Sequence, residues 1–559
     1  MTEHQAATVQ YNDQVNLRRD ASQPRQLVGC VVSVDGACVL VAANGLTVEA
    51  HSIKPQIGTM LTIDVGTHII MGMISSISGP FVRDAGEPAL IEMHLLGEFS
   101  KPSAQAPSRF QRGVSVYPSL GDKVIISSQK ELNALYRAHK GAAVQVGVVK
   151  HDLSIPASLG VNELFAGHCA IVGAAGMGKS SATALIVNSV LTKYPHAHFV
   201  VFDQYNEYSN CFGARAVVFD HENLSLPYWL LTFDELIEIL YSDRPDFAEE
   251  IEILRQLIQK ARKLTASAIR PSLRLGGDGR AEVNAVNADT PSPYRFSDLL
   301  ALIDKAIGGM ETSSATRSLR QLRIRLSQIS TDARYAFLFN GLSVQEDLTN
   351  FLGQFFRVPV DDAPVCIIEL ARMQPEASQI IVSVISRLAL QFGQWSKGAV
   401  PISLVIEGAH SFIPAREENI FPPLPRTLER IVQEGRKIGV SLLCVSQRPA
   451  DINPVILSQC NTIFAMRLAG QADQEALRAV VPDAATGLLS GLPSLAMGEA
   501  VAMGEAVSIA SVIRFDGLPR QSIPSGRTIN FSDGWSMEPE ENDFLDRIVG
   551  QWCSQQSGY

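Results

Sequence analysis

The chain has 559 residues, which is more than one domain normally contains, and this length predicts two to four domains. Its formal net charge of −10 argues against a surface that wraps nucleic acid non-specifically, although basic residues can still be confined to one channel. The eight cysteines show no C-x-x-C spacing, so we interpret them as thiols in a reducing cytoplasm, neither disulfide-bonded nor metal-binding.

The N-terminal part of the chain predicts an arm followed by a small barrel. Residues 1–25 are polar, predict a mobile arm and lack the apolar core of a signal peptide. From Leu27 short β-type runs alternate with Gly, Pro and Asp turns, which predicts a small β-barrel over residues 26–110. We interpret this barrel as an assembly or partner-docking module, with residues 101–112 forming a linker. No apolar stretch is long enough to cross a membrane, so we expect a cytoplasmic protein without membrane contact.

A glycine-rich loop, GAAGMGKS, follows the apolar run CAIV and leads into a helical pattern. Its spacing is that of a phosphate-binding loop, in which backbone N–H groups and the positive end of the next helix face phosphate oxygens. Lys179 is expected to reach the outer phosphates and the Ser180 hydroxyl to ligate Mg²⁺; a turn that binds nothing is the alternative. The predicted nucleotide-binding residues are Gly173, Ala174, Ala175, Gly176, Met177, Gly178, Lys179, Ser180 and Ser181.

Two acids follow the next buried strand within the first part of the core, residues 111–231. The run HFVVFD ends at Asp203, and Glu207 lies four residues further on. Carboxylates just past the carboxyl end of a strand lie where ligands bind in parallel α/β sheets. We therefore predict Asp203 as a metal ligand and Glu207 as a candidate catalytic acid; an ordinary acidic surface loop is the alternative.

Residues 232–350 predict a helical insertion, because apolar residues recur there at helical spacing. Two basic stretches within it stand out in an acidic protein. They are candidate DNA-contacting surfaces, although solvated helix faces commonly look the same. Their arginines are Arg270, Arg274 and Arg280 in the first stretch and Arg317, Arg320, Arg323 and Arg325 in the second.

The core resumes over residues 351–520, where strands alternate with helices and predict an α/β fold with a parallel sheet. One buried strand ends at Glu407 and another at Gln447. Residues 521–559 carry a short helical pattern that we interpret as a C-terminal brace against a neighbouring subunit, or equally as a packed terminal helix.

These residues together supply the groups that phosphoryl transfer requires: a lysine and Mg²⁺ on the phosphates, a carboxylate near the metal and a group that orients water. Lys179, Glu407 and Gln447 are the candidate catalytic residues, with Ser180, Glu407 and Asp203 as the candidate metal ligands. Arg436 and Arg448 flank the Gln447 strand and can stabilise charge on a phosphate, in cis or in trans, or form plain salt bridges. We favour Arg436 acting in trans, because a head-to-tail ring brings one subunit's arginine to its neighbour's site.

The segment EGRKIGVSLLCVSQRPADINPVILSQCNTIFAMRL resembles the signature of HerA-type DNA translocases, in the HerA/FtsK branch of RecA-like P-loop ATPases. The resemblance continues in GAAGMGKS, in FDQYNEYS, in LPYWLLTFDEL and in the pair Ala409-His410, and the N-terminal strands look like the barrel of these proteins. It implies a homo-hexameric ring that threads double-stranded DNA through its central channel and hydrolyses ATP with Mg²⁺. It also implies an effector docked on the barrel face: a nuclease, of the NurA type or another, or a sirtuin-type NADase, in DNA end processing or anti-phage defence.

The chain departs from this family pattern at two positions. Relatives usually carry two acids before the Ala-His pair, and Gly408 stands here in place of the second, which is the expected water-activating base. General-base assistance is typically worth ~10²–10⁴-fold in rate, so we expect slow hydrolysis unless Glu207 or Glu407 substitutes. Many relatives also have an arginine where this chain has Gly167, which removes one candidate phosphate contact.

Two functions follow from this pattern. The first is an ATP-driven DNA translocase or helicase that feeds DNA to an effector. The second is a hexameric scaffold that binds ATP, hydrolyses it weakly, and assembles and activates the effector. A small-molecule kinase is a more distant alternative, because it would not need the GRK…SQRP segment.

Overall fold

The computed structural model describes residues 26–43, 55–79, 88–100, 110–136, 141–241, 247–269, 287–309, 314–339, 348–416, 420–481, 487–525, 531–536 and 545–550. The predicted N-terminal arm and the first basic stretch, with Arg270, Arg274 and Arg280, lie outside these residues. Chain contacts divide the protein into two compact units. The first comprises the described residues of Met1–Ser189, Gln447–Ala450 and Cys460–Gly517, and the second those of Val190–Ser446, Asp451–Gln459 and Leu518–Tyr559.

The first unit begins with a closed β-barrel. Six strands follow the order β2-β1-β7-β3-β4-β5, and β5 pairs back with β2 to close the ring, while β6 extends from β5. The strands are β1 (Leu27–Asp35), β2 (Cys38–Ala43), β3 (Met60–Asp64), β4 (His68–Ser78), β5 (Ala89–Ser100), β6 (Phe110–Arg112) and β7 (Lys123–Ile126). Apolar side chains at alternate positions, such as Val39, Val41, Ile91 and Met93, fill the barrel interior because successive strand residues point to opposite faces.

The barrel extends beyond the predicted end at residue 110. Strand β7 lies between β1 and β3 and is needed to close the ring. The last three residues of the predicted linker, Phe110–Arg112, form β6. Both strands are short, at four and three residues, and lack the alternating burial pattern of β2 and β5.

The first unit also contains a mixed sheet of six strands, in the order β10-β16-β17-β18-β8-β9. Strands β10 and β16 are parallel, and the remaining neighbours are antiparallel. These strands are β8 (Ala143–Val149), β9 (Asp152–Gly160), β10 (Cys169–Val172), β16 (Thr462–Ala465), β17 (Glu499–Gly504) and β18 (Ser511–Phe515). All four residues of β10 are buried, so this strand holds the start of the glycine-rich loop in place.

The second unit contains five parallel strands in the order β12-β13-β11-β14-β15. They are β11 (His198–Asp203), β12 (Ala216–Phe219), β13 (Val365–Glu369), β14 (Ile402–Glu407) and β15 (Val440–Ser446). Every residue of β14 and β15 is buried, which is why these strands read as continuous apolar runs in the sequence. The α/β class with a parallel sheet and the small N-terminal barrel predicted from the sequence are confirmed.

Helices connect these strands, and a group of them forms the predicted insertion between β12 and β13. The helices are α1 (Gln129–Tyr136), α2 (Val161–Ala166), α3 (Lys179–Lys193), α4 (Phe233–Tyr241), α5 (Ala248–Ile269), α6 (Phe296–Gly308), α7 (Ser314–Thr331), α8 (Ala336–Phe339), α9 (Leu348–Phe356), α10 (Pro375–Ser396), α11 (Pro423–Ile438), α12 (Pro454–Ser458), α13 (Gln471–Arg478) and α14 (Phe531–Ser536). Buried residues of the insertion belong to the same apolar core as the five parallel strands. No helix in the described ranges is long and apolar enough to span a membrane.

Candidate functional site

The glycine-rich loop connects the buried strand β10 to helix α3 in the first unit. Gly176 and Gly178 adopt φ values of +74° and +95°, a left-handed backbone that side chains disfavour. Gly173 is needed for packing, since a Cβ at that position would lie 2.6 Å from Met466 Cβ. The loop is fixed at both ends, because Ala174 N donates to Arg467 O at 2.9 Å and Gly498 N donates to Met177 O at 3.0 Å.

Lys179 opens helix α3, and its side chain folds over this loop. It is buried, and its Nζ donates to Ala174 O at 3.1 Å. Ser180 and Ser181 follow in the first helical turn, both half-buried. A preformed turn of glycines at the N-terminus of a 15-residue helix, with an ammonium group held across it, has the donors that phosphate oxygens require. The residues present therefore fit a nucleotide phosphate, with Ser180 supplying a hydroxyl for Mg²⁺.

The second unit brings three of the predicted acids together at the carboxyl ends of neighbouring strands. Asp203 ends β11 and Glu407 ends β14, and because these strands pair in parallel their ends share one edge. Asp203 is completely buried and accepts backbone hydrogen bonds from Glu207 N at 3.1 Å and Tyr208 N at 2.8 Å. Asp203 thereby organises the loop that carries Glu207.

Tyr208 is a residue of this cluster that the sequence analysis did not single out. It is buried, and its hydroxyl donates to Glu407 Oε2 at 2.5 Å, across 199 residues of chain. The hydrogen bond orients the carboxylate of Glu407, which is itself 2% exposed. In the sequence, Tyr208 is marked only by its position in FDQYNEYS, one residue after the candidate acid Glu207.

Burial raises the pKa values of two side chains in this cluster. Desolvation raises the pKa of Asp203 to about 6, against the lowering effect of its backbone hydrogen bonds. Burial also raises the pKa of Tyr205, and the carboxylates of Glu407 and Glu207 add to that shift. Such shifts in the pKa values of Asp203 and Tyr205 are common where acids bind a cation or accept a proton.

Residues 144–389 match the family model described as helicase HerA, central domain. The HerA-type resemblance is confirmed. The matched segment contains the phosphate loop and Asp203, whereas Glu407, Arg436 and Gln447 lie beyond its C-terminal end.

The chain is also similar to individual proteins. The probable DNA double-strand break repair helicase HerA of Methanocaldococcus jannaschii is 36% identical over 135 residues, which cover 24% of this chain and only 26% of that protein. The DNA double-strand break repair helicase HerA of Sulfurisphaera tokodaii is 21% identical over 526 residues, covering 90% of this chain and 97% of that protein. Among solved structures, VirB4 of Thermoanaerobacter pseudethanolicus is 14% identical with a TM-score of 0.47, covering 68% of this chain and 98% of that chain.

Gly408, the departure from the HerA-type pattern, has a backbone that favours glycine. It adopts φ +65° and ψ 37°, in the left-handed region, immediately after β14. A Cβ there would lie 3.2 Å from Gln204 Cβ and Cγ and 3.4 Å from Tyr205 Oη. Both the torsion and the neighbouring side chains therefore oppose an acid at this position in the present arrangement of the loop.

The remaining predicted HerA-type residues follow β15 or lie on the helix before it. Gln447 directly follows β15 and is half-buried, and Arg448 next to it is exposed. The last residue of β15, Ser446, shares a 3.3 Å hydrogen bond with His410 Nδ1. Arg436 is exposed near the end of α11 and makes no ion pair with the residues that the structure describes. Its predicted role in a neighbouring subunit stays a prediction.

Proposed function

We propose that this chain is an ATP-driven translocase of double-stranded DNA. The match of residues 144–389 to the HerA central domain carries the proposal, because that segment includes a phosphate loop with its lysine already in place. Relatives that align over most of the chain are described as DNA double-strand break repair helicases, which supports DNA as the substrate.

The roles of individual residues follow from their chemistry. Lys179 and the loop N–H groups hold the nucleotide phosphates, and Ser180, Glu407 and Asp203 are the proposed Mg²⁺ ligands. Bound Mg²⁺ neutralises charge on the phosphates. Glu407, held by the Tyr208 hydroxyl, or Glu207 on the same loop accepts a proton from the attacking water, and Gln447 orients that water.

The proposed assembly is a cytoplasmic homo-hexamer with double-stranded DNA in its central channel. A ring of identical subunits can present the exposed Arg436 of one subunit to the loop of the next. The β-barrel, a closed sheet with its own apolar core, is a self-contained platform for a nuclease or a sirtuin-type NADase effector.

An ATPase assay with and without double-stranded DNA tests the proposal. We expect DNA to stimulate phosphate release, and we expect Lys179→Ala to abolish both basal and stimulated release because the phosphates lose their only loop ammonium group. Single-turnover measurements on the same preparations separate chemistry from product release. Phosphate release that stays at the Lys179→Ala background with DNA present would exclude a translocase.

The scaffold function is the second candidate, and the crowded left-handed position of Gly408 favours it. Without a second acid, the loop would bind ATP and hydrolyse it slowly. The scaffold predicts that ATP supports effector binding and that a non-hydrolysable analogue supports it equally well. A translocase predicts that ATP drives DNA movement and that the analogue does not, whereas a scaffold predicts no DNA movement with either nucleotide.

A further inference from the structure

Three potential metal-binding side chains meet on the β-barrel. They are Cys38 on β2 and Glu92 and His94 on β5, and one ligand atom from each lies within 4.8 Å of the other two. Cys38 and His94 are direct partners in the antiparallel register of β2 and β5. Glu92 stands two residues from His94 and therefore projects from the same face of the sheet.

This face is the outside of the barrel. The intervening residues Val39, Met93 and Ile91 are completely buried in the barrel core, whereas all three residues of the cluster are half-buried. The three side chains are thus accessible to a small ion and still partly shielded from water. They also lie on the β2–β5 seam, the strand pairing that closes the ring.

Hydrogen bonds already hold Glu92 in place within the cluster. Its Oε1 accepts from Cys38 Sγ at 3.2 Å, and its Oε2 accepts from Ser76 Oγ on the neighbouring strand β4 at 3.1 Å. A hydroxyl that orients a ligating carboxylate from outside is a common feature of metal sites. Ser76 would keep this bond when a metal replaces the thiol proton as the partner of Cys38.

We propose that Cys38, Glu92 and His94 form a Zn²⁺-binding site that cross-links β2 and β5. Thiolate, imidazole and carboxylate are the ligands that zinc accepts, and one thiolate with one carboxylate balances the charge of a divalent ion. Tetrahedral ligands around zinc stand about 3.5 Å apart. Cys38 Sγ and Glu92 Oε1 already lie 3.2 Å apart, and no pair of ligand atoms is more than 4.8 Å apart, so small side-chain rotations suffice. Three protein ligands leave the fourth position to water. Hard cations such as Mg²⁺ prefer all-oxygen ligands and fit this site poorly.

From the sequence alone no cysteine is expected to bind metal, because none shows C-x-x-C spacing. Cys38 and Glu92 are 54 residues apart, and only the closure of the barrel brings them together. Zinc motifs with short spacings rely on a turn, whereas this cluster relies on cross-strand pairing.

The test uses the full chain, stripped with a chelator and desalted. Titration with Co²⁺ should produce a thiolate-to-cobalt absorption band that saturates at one equivalent, and added Zn²⁺ should abolish the band by displacement. Cys38→Ser and His94→Gln should each lose the band. Ser76→Ala should keep it with roughly 10–100-fold weaker affinity, as expected for a residue that only orients a ligand.

Two matched variants serve as controls. Cys30→Ser removes another half-buried thiol of the same barrel and should leave the cobalt band unchanged. Lys179→Ala disables the phosphate loop and should also leave it unchanged, which separates this site from the nucleotide site. Zn²⁺ should raise the melting temperature of the unaltered chain and not that of Cys38→Ser. Absence of the band, or an equal band in Cys38→Ser and the unaltered chain, would overturn the proposal.

Discussion

A single glycine, Gly408, has a backbone conformation that an acidic residue rarely adopts. Its torsion is left-handed, and a Cβ at this position would lie only 3.2 Å from the Gln204 side chain. Two features therefore disfavour an acid at this position: the left-handed backbone torsion and the close contact with the loop that carries Glu207. An acid at position 408 requires the side chain of Gln204 to shift by a few tenths of an ångström. The hydrogen bonds from Glu207 N and Tyr208 N to Asp203 hold the backbone of this loop in place.

Replacing glycine by alanine at position 408 measures this constraint. Gly408→Ala should lower the free energy of unfolding by about 1–2 kcal/mol for the left-handed torsion, with a further decrease from crowding against Gln204. Gly36→Ala is the matched control, because Gly36 has a similar φ of +56° and open space around its Cβ. Chemical denaturation should show the larger decrease at position 408; equal decreases would mean that the loop yields freely.

At the scale of elements, periodic segments and continuous apolar runs were predictable, whereas two short strands of the barrel were not. The strands ending at Asp203 and Glu407 and the helices of the insertion follow from apolar runs and helical spacing, because burial alone selects those residues. Strands β6 and β7 are too short for a pattern, and tertiary pairing alone fixes them. The hydrogen bond from Tyr208 to Glu407 joins two distant loops, so no local spacing could have indicated it.

The sequence also does not distinguish the environments of the arginines on helix α7. Its arginines look alike in the sequence, but the structure separates them into two pairs. Arg325 lies 3.6 Å from the buried Glu250 and over the ring of Phe247, and Arg323 pairs with Asp304. Arg317 and Arg320 are exposed and make no ion pair with the residues that the structure describes. Of these four arginines, only the exposed pair is free to contact DNA phosphates.

Substitution of the two pairs should therefore give different results. Arg317→Ala with Arg320→Ala should weaken DNA binding and reduce the slope of log affinity against log salt by about 2, one unit for each phosphate that is no longer neutralised. The stability of the fold should not change. Arg325→Ala should instead lower the free energy of unfolding by roughly 1–3 kcal/mol, because Glu250 loses its cation. An unchanged salt slope in the double variant would identify the exposed face as merely solvated.

At the scale of the whole molecule, the acidic balance and the proposed DNA channel are compatible only if the subunits assemble. A chain with net charge −10 holds DNA weakly by itself, whereas a ring repeats a small basic surface in every subunit. The same repetition completes the ATPase site if Arg436 acts on the neighbouring loop. Both features therefore depend on the proposed hexamer.

Mixing two inactive variants tests whether Arg436 acts in trans. Arg436→Ala subunits keep an intact phosphate loop, and Lys179→Ala subunits keep an intact arginine, so each homogeneous ring should have little ATPase activity. In rings assembled at random from equal amounts of both, roughly a quarter of the sites pair a working loop with a neighbour's arginine, and activity should recover to about that fraction. Lys437→Ala, at the adjacent exposed position, is the matched control and should be active by itself. An arginine that acts on its own subunit's loop would give no recovery in any mixture, because no subunit then has both residues.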